Sequence, residues 1–198
     1  MVGLFYTTMF IAPPNQSTLT LLAIDPGLNN TGVAVLKLKL DPFEIISIDA
    51  LTLQAQRLID TSGLDDEDYV ERIHKRYSMT RALRKIILRE NPSVVACESP
   101  FFDRRKPSSF AVLTEVLISY FDAAVEVNPA VRFSYVEPLL VKKILGVAGQ
   151  KGKEVVREAM EKQDFVSKVI QRLDDLDEHA IDAICVGITY IKVKSGFV

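Results

Sequence analysis

The sequence predicts an α/β fold in which five strands form one mixed sheet, three antiparallel and two parallel, flanked by helices. Three short runs rich in apolar residues, separated by turn residues, occupy residues 19–53, as expected of an antiparallel meander. Two further short apolar runs, 94–98 and 131–136, each follow an amphipathic helical pattern. Because parallel strands need a long crossover connection, these two runs are expected to extend the sheet in parallel.

Composition limits the class of protein. With 198 residues and 48% hydrophobic content, the chain is long enough for one sizeable core. A formal net charge of −2 excludes a uniformly basic polynucleotide binder, so a nucleic-acid surface has to be a local patch. Cys97 and Cys185 have no CxxC spacing, which favours buried thiols in a reducing compartment and no zinc site.

Targeting signals are also missing from the sequence pattern. No apolar run reaches the roughly 18 residues of a membrane span. Residues 1–17 lack a basic segment, so they resemble neither a secretory signal nor a transit peptide. We therefore expect an N-terminal arm, 1–18, followed by a single domain, 19–198, in the cytoplasm.

The meander predicts strands at 19–25, 31–39 and 43–53, followed by a polar loop at 54–66. A helix over 68–90 ends at Asn91-Pro92, and a second covers 109–125. Their predicted apolar faces are Tyr69, Val70, Ile73, Tyr77, Leu83, Ile86 and Ile87 in the first, and Val112, Leu113, Val116, Leu117, Tyr120 and Phe121 in the second.

Three helices are predicted in the last third of the chain, at 137–145, 153–162 and 175–192. The core stripe expected for the last helix consists of Ile181, Ile184, Cys185, Ile188 and Ile191.

Two of the apolar strands end in an acid. Asp25 is followed by the turn residues Pro26 and Gly27, and Glu98 precedes a proline. Taken alone, the first motif is weak, because an Asp that closes a turn between two strands gives the same pattern.

The last predicted helix carries a polar group near its start. Asp175, Glu178, His179 and Asp182 recur at spacings of three and four, which clusters them on one side. Acids in a first turn also serve as partners of the helix dipole. Three separated carboxylates converging at one sheet edge, however, repel each other unless a hard divalent cation lies between them. The combination therefore predicts metal-assisted phosphoryl chemistry.

These motifs resemble the RuvC-type Holliday-junction resolvases of the ribonuclease H-like superfamily, phage and viral members included. The matching pieces are Ile24-Asp25-Pro26-Gly27 with Thr31-Gly32, then Ala96-Cys97-Glu98, and His179-Ala-Ile-Asp182-Ala-Ile. Their order and element types match over most of residues 19–192. The resemblance implies a ribonuclease H-like fold and hydrolysis of DNA phosphodiester bonds at four-way junctions.

By the same resemblance, the catalytic and metal-binding residues are Asp25, Glu98, His179 and Asp182, with two Mg²⁺ or Mn²⁺ ions. One ion would lower the pKa of the attacking water and the other would stabilise the leaving oxygen, so no protein nucleophile is needed. Helical periodicity alone favours Glu178 over His179, because Glu178 turns closer to the sheet. The choice between these two stays open at this stage.

Basic and aromatic residues outline a DNA surface. Phe101 or Phe102 matches the aromatic that related resolvases stack on opened bases, and Phe101 is our preferred candidate. Phosphate contacts are expected from Arg104, Arg105, Lys106, Lys142, Lys143, Lys151 and Lys153. For any one of these basic residues, a solvated charged face explains the position equally well.

The resemblance also implies a homodimer, with the helices at 68–90 and 109–125 as candidate interfaces. Viral relatives accept branched or flap DNA more broadly, so a flap or branch nuclease is an alternative. A non-catalytic junction-binding protein is a second alternative. An actin-like ATPase is a third, although the chain has a single Asp-Pro-Gly hairpin where such proteins need two. A viral member would act in the host cytoplasm.

Overall fold

The computed structural model describes residues 17–58, 68–148, 154–162 and 175–195, which contain the expected five-stranded mixed sheet. The strands are β1 (Thr18–Asp25), β2 (Asn30–Leu40), β3 (Phe43–Gln54), β4 (Val94–Glu98) and β5 (Arg132–Val136). Their order in the sheet is β3-β2-β1-β4-β5. The pairs β1–β2 and β2–β3 are antiparallel, and β1–β4 and β4–β5 are parallel. The predicted fold class is therefore confirmed.

The described helices agree with the predicted ones to within a few residues. They are α1 (Ala55–Leu58), α2 (Asp68–Glu90), α3 (Pro107–Val127), α4 (Pro138–Ile144), α5 (Glu154–Glu161) and α6 (Glu178–Ser195). The predicted loop at 54–66 begins instead with the short helix α1, and residues 59–66 lie outside the described ranges. Proline opens both α3 and α4, where its missing N–H costs no hydrogen bond.

The start of the last helix was predicted three residues too early. Helix α6 begins at Glu178 because the carboxylate of Asp177 caps it, accepting a hydrogen bond from the backbone N–H of Ala180 at 3.0 Å. Asp175 therefore precedes the helix and does not share its polar side. The predicted core stripe is confirmed, since Ile181, Ile184, Cys185, Ile188 and Ile191 are all buried.

Side chains alternate across the sheet and pack against a helical layer on each face. On β1, Leu21 and Ala23 join the core beneath α6, while Leu22 and Ile24 join the core beneath α2 and α3. Each large apolar side chain buried in this way contributes about 1.5–3 kcal/mol. The alternation also decides on which face a residue at the end of a strand lies.

Three residues predicted for buried helix faces are exposed. Ile73 and Tyr77 face solvent because only the second half of α2, from Met79 onward, contributes to the described core. The first half contacts α3 through ion pairs from its arginines to Glu115. Phe121 is also exposed, since it lies to one side of α3 and packs edge-to-face on Phe133 with ring centroids 5.4 Å apart.

Other expectations concern the chain as a whole. Cys97 and Cys185 are free and buried, as predicted. Within the described ranges, no helix has the length and apolarity needed to cross a bilayer. Residues 1–16 lie outside these ranges, so the division into an arm and a single domain stays a prediction.

Candidate metal centre and active site

Asp25 and Glu98 lie side by side at the ends of two neighbouring strands. The parallel strands β1 and β4 are in register at Ile24 and Cys97, so the next residue of each strand is an acid. Because side chains alternate along a strand, both acids lie on the face of the sheet that packs against α6. The sheet therefore presents two carboxylates to the first turns of that helix.

A closed turn fixes the position of Asp25. A Cβ atom on Gly27 would stand 2.1 Å from the carbonyl oxygen of Asn30, so the turn requires glycine there. The Thr31 hydroxyl donates a hydrogen bond to the Gly27 carbonyl at 2.7 Å and accepts one from the Gly27 N–H at 3.2 Å. The backbone directly after the catalytic candidate is therefore held by its own hydrogen bonds.

The first turn of α6 rests directly on this hairpin. Gly32 pairs with Asp25 in the sheet, and the backbone of His179 lies against Gly32. The imidazole Nδ1 of His179 is 3.3 Å from Oδ2 of Asp25. The Thr52 hydroxyl donates a hydrogen bond to the capping carboxylate of Asp177, which ties the helix start to β3.

The proximity of these groups changes their affinity for protons. Burial, together with the charges of Asp25 and Asp182, raises the pKa of Glu98 to about 8. The protonated form is also favoured by a hydrogen bond with the Asp25 carboxyl group. The hydrogen bond to Asp25 raises the pKa of His179 against the opposing effect of burial. Both groups therefore hold protons more tightly than they would in water.

A cavity of ≈ 540 Å³ opens beside the carboxylates. Its acidic lining residues are Glu98, Glu154, Glu178 and Asp182, and its basic ones are Lys142 and Arg157. The charge of Lys142 lowers the pKa of Glu98, opposing the other causes. The cavity is large enough for a phosphate group and places positive charge next to the acids.

The three carboxylates of this donor set suit hard divalent cations such as Mg²⁺ and Mn²⁺, which prefer oxygen ligands. Within the described residues, no three His, Cys, Asp or Glu side chains are arranged to hold one ion as they stand. The reason is visible in the contacts. Asp25 forms hydrogen bonds with Glu98 and with His179, so these side chains contact one another directly. A divalent cation between the carboxylates would relieve the repulsion that raises the pKa of Glu98.

The four predicted site residues are therefore brought to one edge of the sheet. Asp25 touches His179 and Glu98, and Asp182 is close enough to raise the pKa of Glu98. The geometry distinguishes Glu178 from His179. His179 contacts Asp25, whereas Glu178 lines the cavity and lies 3.7 Å from Nε2 of His179.

The two phenylalanines after Glu98 differ in their surroundings. Phe101 is 61% exposed, and Phe102 is 54% exposed but packs edge-to-face on Phe110 with ring centroids 5.6 Å apart. Phe102 therefore helps to anchor the loop to α3. These surroundings favour Phe101 as the aromatic that meets a ligand.

The basic residues predicted for DNA binding fall into three groups. Arg104, Arg105 and Lys106 are exposed in the loop before α3, where Arg105 forms an ion pair with Asp103 at 2.9 Å. Lys142 lines the cavity, and Lys143 is exposed beside it on α4. Lys151 and Lys153 lie outside the described residues.

Three residues that support the site were not singled out from the sequence. Asp177 precedes a helix and has the residue type of an N-cap, so the capping rule alone could have found it. Thr52 and Tyr120 gave no such signal, because their partners lie 125 and 89 residues away in the chain.

The order and direction of the five strands, with the acids at one sheet edge, define an α/β protein with a ribonuclease H-like fold. No family model matches the chain. The crossover junction endodeoxyribonuclease RuvC of Caldanaerobacter subterraneus subsp. tengcongensis is 26% identical over 171 residues, which cover 85% of this chain and 90% of that protein.

Solved structures agree with this relationship. The Thermus thermophilus RuvC structure superposes with a TM-score of 0.63 at 20% identity, covering 90% of this chain and 97% of that one. The same protein in complex with a Holliday junction substrate gives a TM-score of 0.60 at 18% identity, with the same coverage. The predicted resemblance to RuvC-type resolvases is thereby confirmed.

Proposed function

We propose that this protein is a metal-dependent, structure-selective DNA endonuclease that resolves four-way junctions by symmetric hydrolysis of phosphodiester bonds. The observation that carries the proposal is the meeting of Asp25, Glu98, His179 and Asp182 at one sheet edge. Similarity to RuvC over 85% of the chain supports the choice of substrate.

Two Mg²⁺ or Mn²⁺ ions, when bound, would activate the attacking water and stabilise the leaving 3′ oxygen. Asp25 contacts both Glu98 and His179, so these three residues together with Asp182 would hold the ions. Glu98 has to release its proton before it can act as a ligand. His179, in its neutral form, either ligates an ion or moves a proton.

The DNA surface would extend from the cavity toward the loop before α3. Lys142 neutralises a phosphate beside the carboxylates, and Arg104 and Lys106 contact the backbone further away. Phe101 stacks on a base at the opened junction, where such a contact contributes about 1–3 kcal/mol.

Two symmetric incisions need two copies of the site, so the active form is a homodimer. An apolar strip on α3 and β5 supports it, consisting of the exposed Ile118, Phe121 and Tyr135 and the half-buried Phe133. Ile118 is 52% exposed, and the three aromatic rings pack edge-to-face in a row. We call these four residues the aromatic strip. Exposed apolar surface of this kind marks an interaction site.

Cleavage of labelled four-way, flap and linear DNA in Mg²⁺, Mn²⁺ and EDTA tests the proposal. Paired symmetric nicks on the four-way junction are expected, and they should vanish in EDTA and in Asp25→Asn. Asp49→Asn, an exposed acid on β3, is the matched control and should cut normally.

The other outcomes separate the alternatives. Equal cutting of flaps would indicate a broad branch nuclease, and tight binding without cutting would indicate a junction-binding protein. The ATPase alternative is not favoured by the structure, because the Thr31 hydroxyl is buried and bonded within the protein instead of facing a ligand.

A further inference from the structure

The turn that follows Asp25 is held by a second contact, which comes from the opposite face of the sheet. Thr31 lies on that face, since the next residue on the same side of β2, Val33, belongs to the core beneath α2 and α3. The hydroxyl of Tyr120, on α3, is 2.7 Å from the Thr31 hydroxyl. Both residues are completely buried.

The directions of the hydrogen bonds follow from counting protons. The Thr31 hydroxyl has one proton, which it donates to the Gly27 carbonyl. The bond with Tyr120 therefore requires the phenol to donate and Thr31 to accept. Burial raises the pKa of Tyr120, so the phenol keeps its proton at neutral pH. The chain of bonds runs from Tyr120 through Thr31 to Gly27.

We propose that Tyr120 is a positioning residue, which acts through Thr31 and Gly27 to hold the Asp25 carboxylate where it binds metal. The inference rests on the proposed function, because it assigns Asp25 to the metal centre. Asp25 is two residues before Gly27, so a shift of the turn is passed directly to its carboxylate. Two layers of the fold thus converge on one residue, α3 through Tyr120 and α6 through His179.

Loss of the Tyr120 hydroxyl would remove its buried hydrogen bond to Thr31. Without the phenol, the Thr31 hydroxyl keeps its two bonds to Gly27 but loses the contact that fixes its position against α3. Small displacements of a catalytic group reduce rates strongly, by about 100-fold for about 1 Å. The effect should therefore fall on metal binding and chemistry more than on DNA affinity.

Tyr120→Phe and Thr31→Val test the proposal, because each removes a hydroxyl with little change in volume. Tyr190→Phe, another buried tyrosine located on α6 near β5, is the matched control. Three quantities are measured at a temperature well below every melting point. These are the single-turnover cleavage rate, the Mn²⁺ concentration at half-maximal rate, and the junction Kd in Ca²⁺.

Tyr120→Phe is expected to lower the single-turnover rate by about tenfold and to raise the Mn²⁺ requirement, with the junction Kd unchanged. Thr31→Val should have a larger effect, and adding Tyr120→Phe to it should change nothing further, since the bond is already broken. A folded Tyr120→Phe with the wild-type rate and Mn²⁺ requirement would overturn the proposal, as would strictly additive effects.

Failure of the proposed function gives a different result. If the wild type does not cut any DNA, the endonuclease proposal fails, and Mn²⁺ binding followed by thermal shift still decides the role of Tyr120. A weaker Mn²⁺ midpoint in Tyr120→Phe but not in Tyr190→Phe supports positioning. Identical midpoints in the wild type and Tyr120→Phe would contradict it.

Discussion

The carbonyl oxygen of His179 lies only 1.8 Å from the position that a Cβ atom on Gly32 would take. The first turn of α6 therefore contacts the backbone of β2 at Gly32. In the sheet, Gly32 pairs with Asp25. This close approach is what brings His179 within 3.3 Å of the Asp25 carboxylate. Any side chain at position 32 would push the two halves of the site apart.

Gly32→Ala should consequently abolish cleavage and weaken Mn²⁺ binding, because neither backbone can move aside easily. Gly187→Ala is the control on the same helix, since its Cβ would meet mainly the flexible end of Leu36 at 2.7 Å. The control should lose some stability but keep its metal affinity. Calorimetric Mn²⁺ titration and thermal melting of both variants give the comparison, and equal Mn²⁺ affinities would contradict it.

Because the pKa of Glu98 is raised, ionisation of Glu98 should destabilise the folded protein when no metal is bound. The folded pKa of about 8 exceeds the ordinary value of 4.5, so the folded state binds more protons between these two values. The free energy of unfolding should therefore fall as pH rises from about 4.5 through about 8.

Glu98→Gln removes this dependence and should raise the melting temperature in EDTA at pH 8, by about 2–4 °C per kcal/mol recovered. At pH 4 the variant and the wild type should melt together. Glu44→Gln, an exposed acid on β3, should change neither value. An equal increase in the melting temperature of Glu98→Gln at both pH values would show that the effect does not come from ionisation.

Local rules predict only part of the site, because the choice of His179 over Glu178 came from the resemblance to resolvases and not from periodicity. Strand ends and side-chain alternation place Asp25 and Glu98 together without knowledge of any distant contact. The start of α6 was misplaced because Asp175 and Asp177 both have the residue type of an N-cap, and the hydrogen bonds of Asp177 to Ala180 and Thr52 distinguish them. Helical periodicity wrongly predicted that Ile73 and Tyr77 are buried, because a periodic pattern does not show that only the second half of α2 reaches the core.

Metal binding should release protons, because Glu98 and His179 both have raised pKa values. Mn²⁺ affinity is therefore expected to increase steadily from pH 6 to pH 8. Titrations at pH 7 in two buffers with different ionisation heats measure the protons released, and about one is expected from Glu98. In Glu98→Gln the dependence on buffer should shrink. Heats that do not depend on the buffer would contradict this assignment.

The aromatic strip predicts where the homodimer forms. Ile118→Glu places a charge in the strip, and burying an unpaired charge in an interface is strongly unfavourable. The variant should elute as a monomer in light scattering and lose paired incisions. Ile46→Glu, at an exposed isoleucine on β3 outside both candidate helices, is the control and should stay dimeric. A dimeric Ile118→Glu would place the interface elsewhere.

The different surroundings of Phe101 and Phe102 predict different consequences of removing each ring. Phe101→Ala should weaken binding to a four-way junction in Ca²⁺ by about 1–3 kcal/mol while leaving the melting temperature unchanged, because its exposed ring is available to stack. Phe102→Ala should instead lower the melting temperature, since its ring packs on Phe110. Fluorescence of 2-aminopurine at the junction centre reports unstacking and should change only with Phe101 present. Equal junction affinities for Phe101→Ala and the wild type would show that this ring does not contact a base.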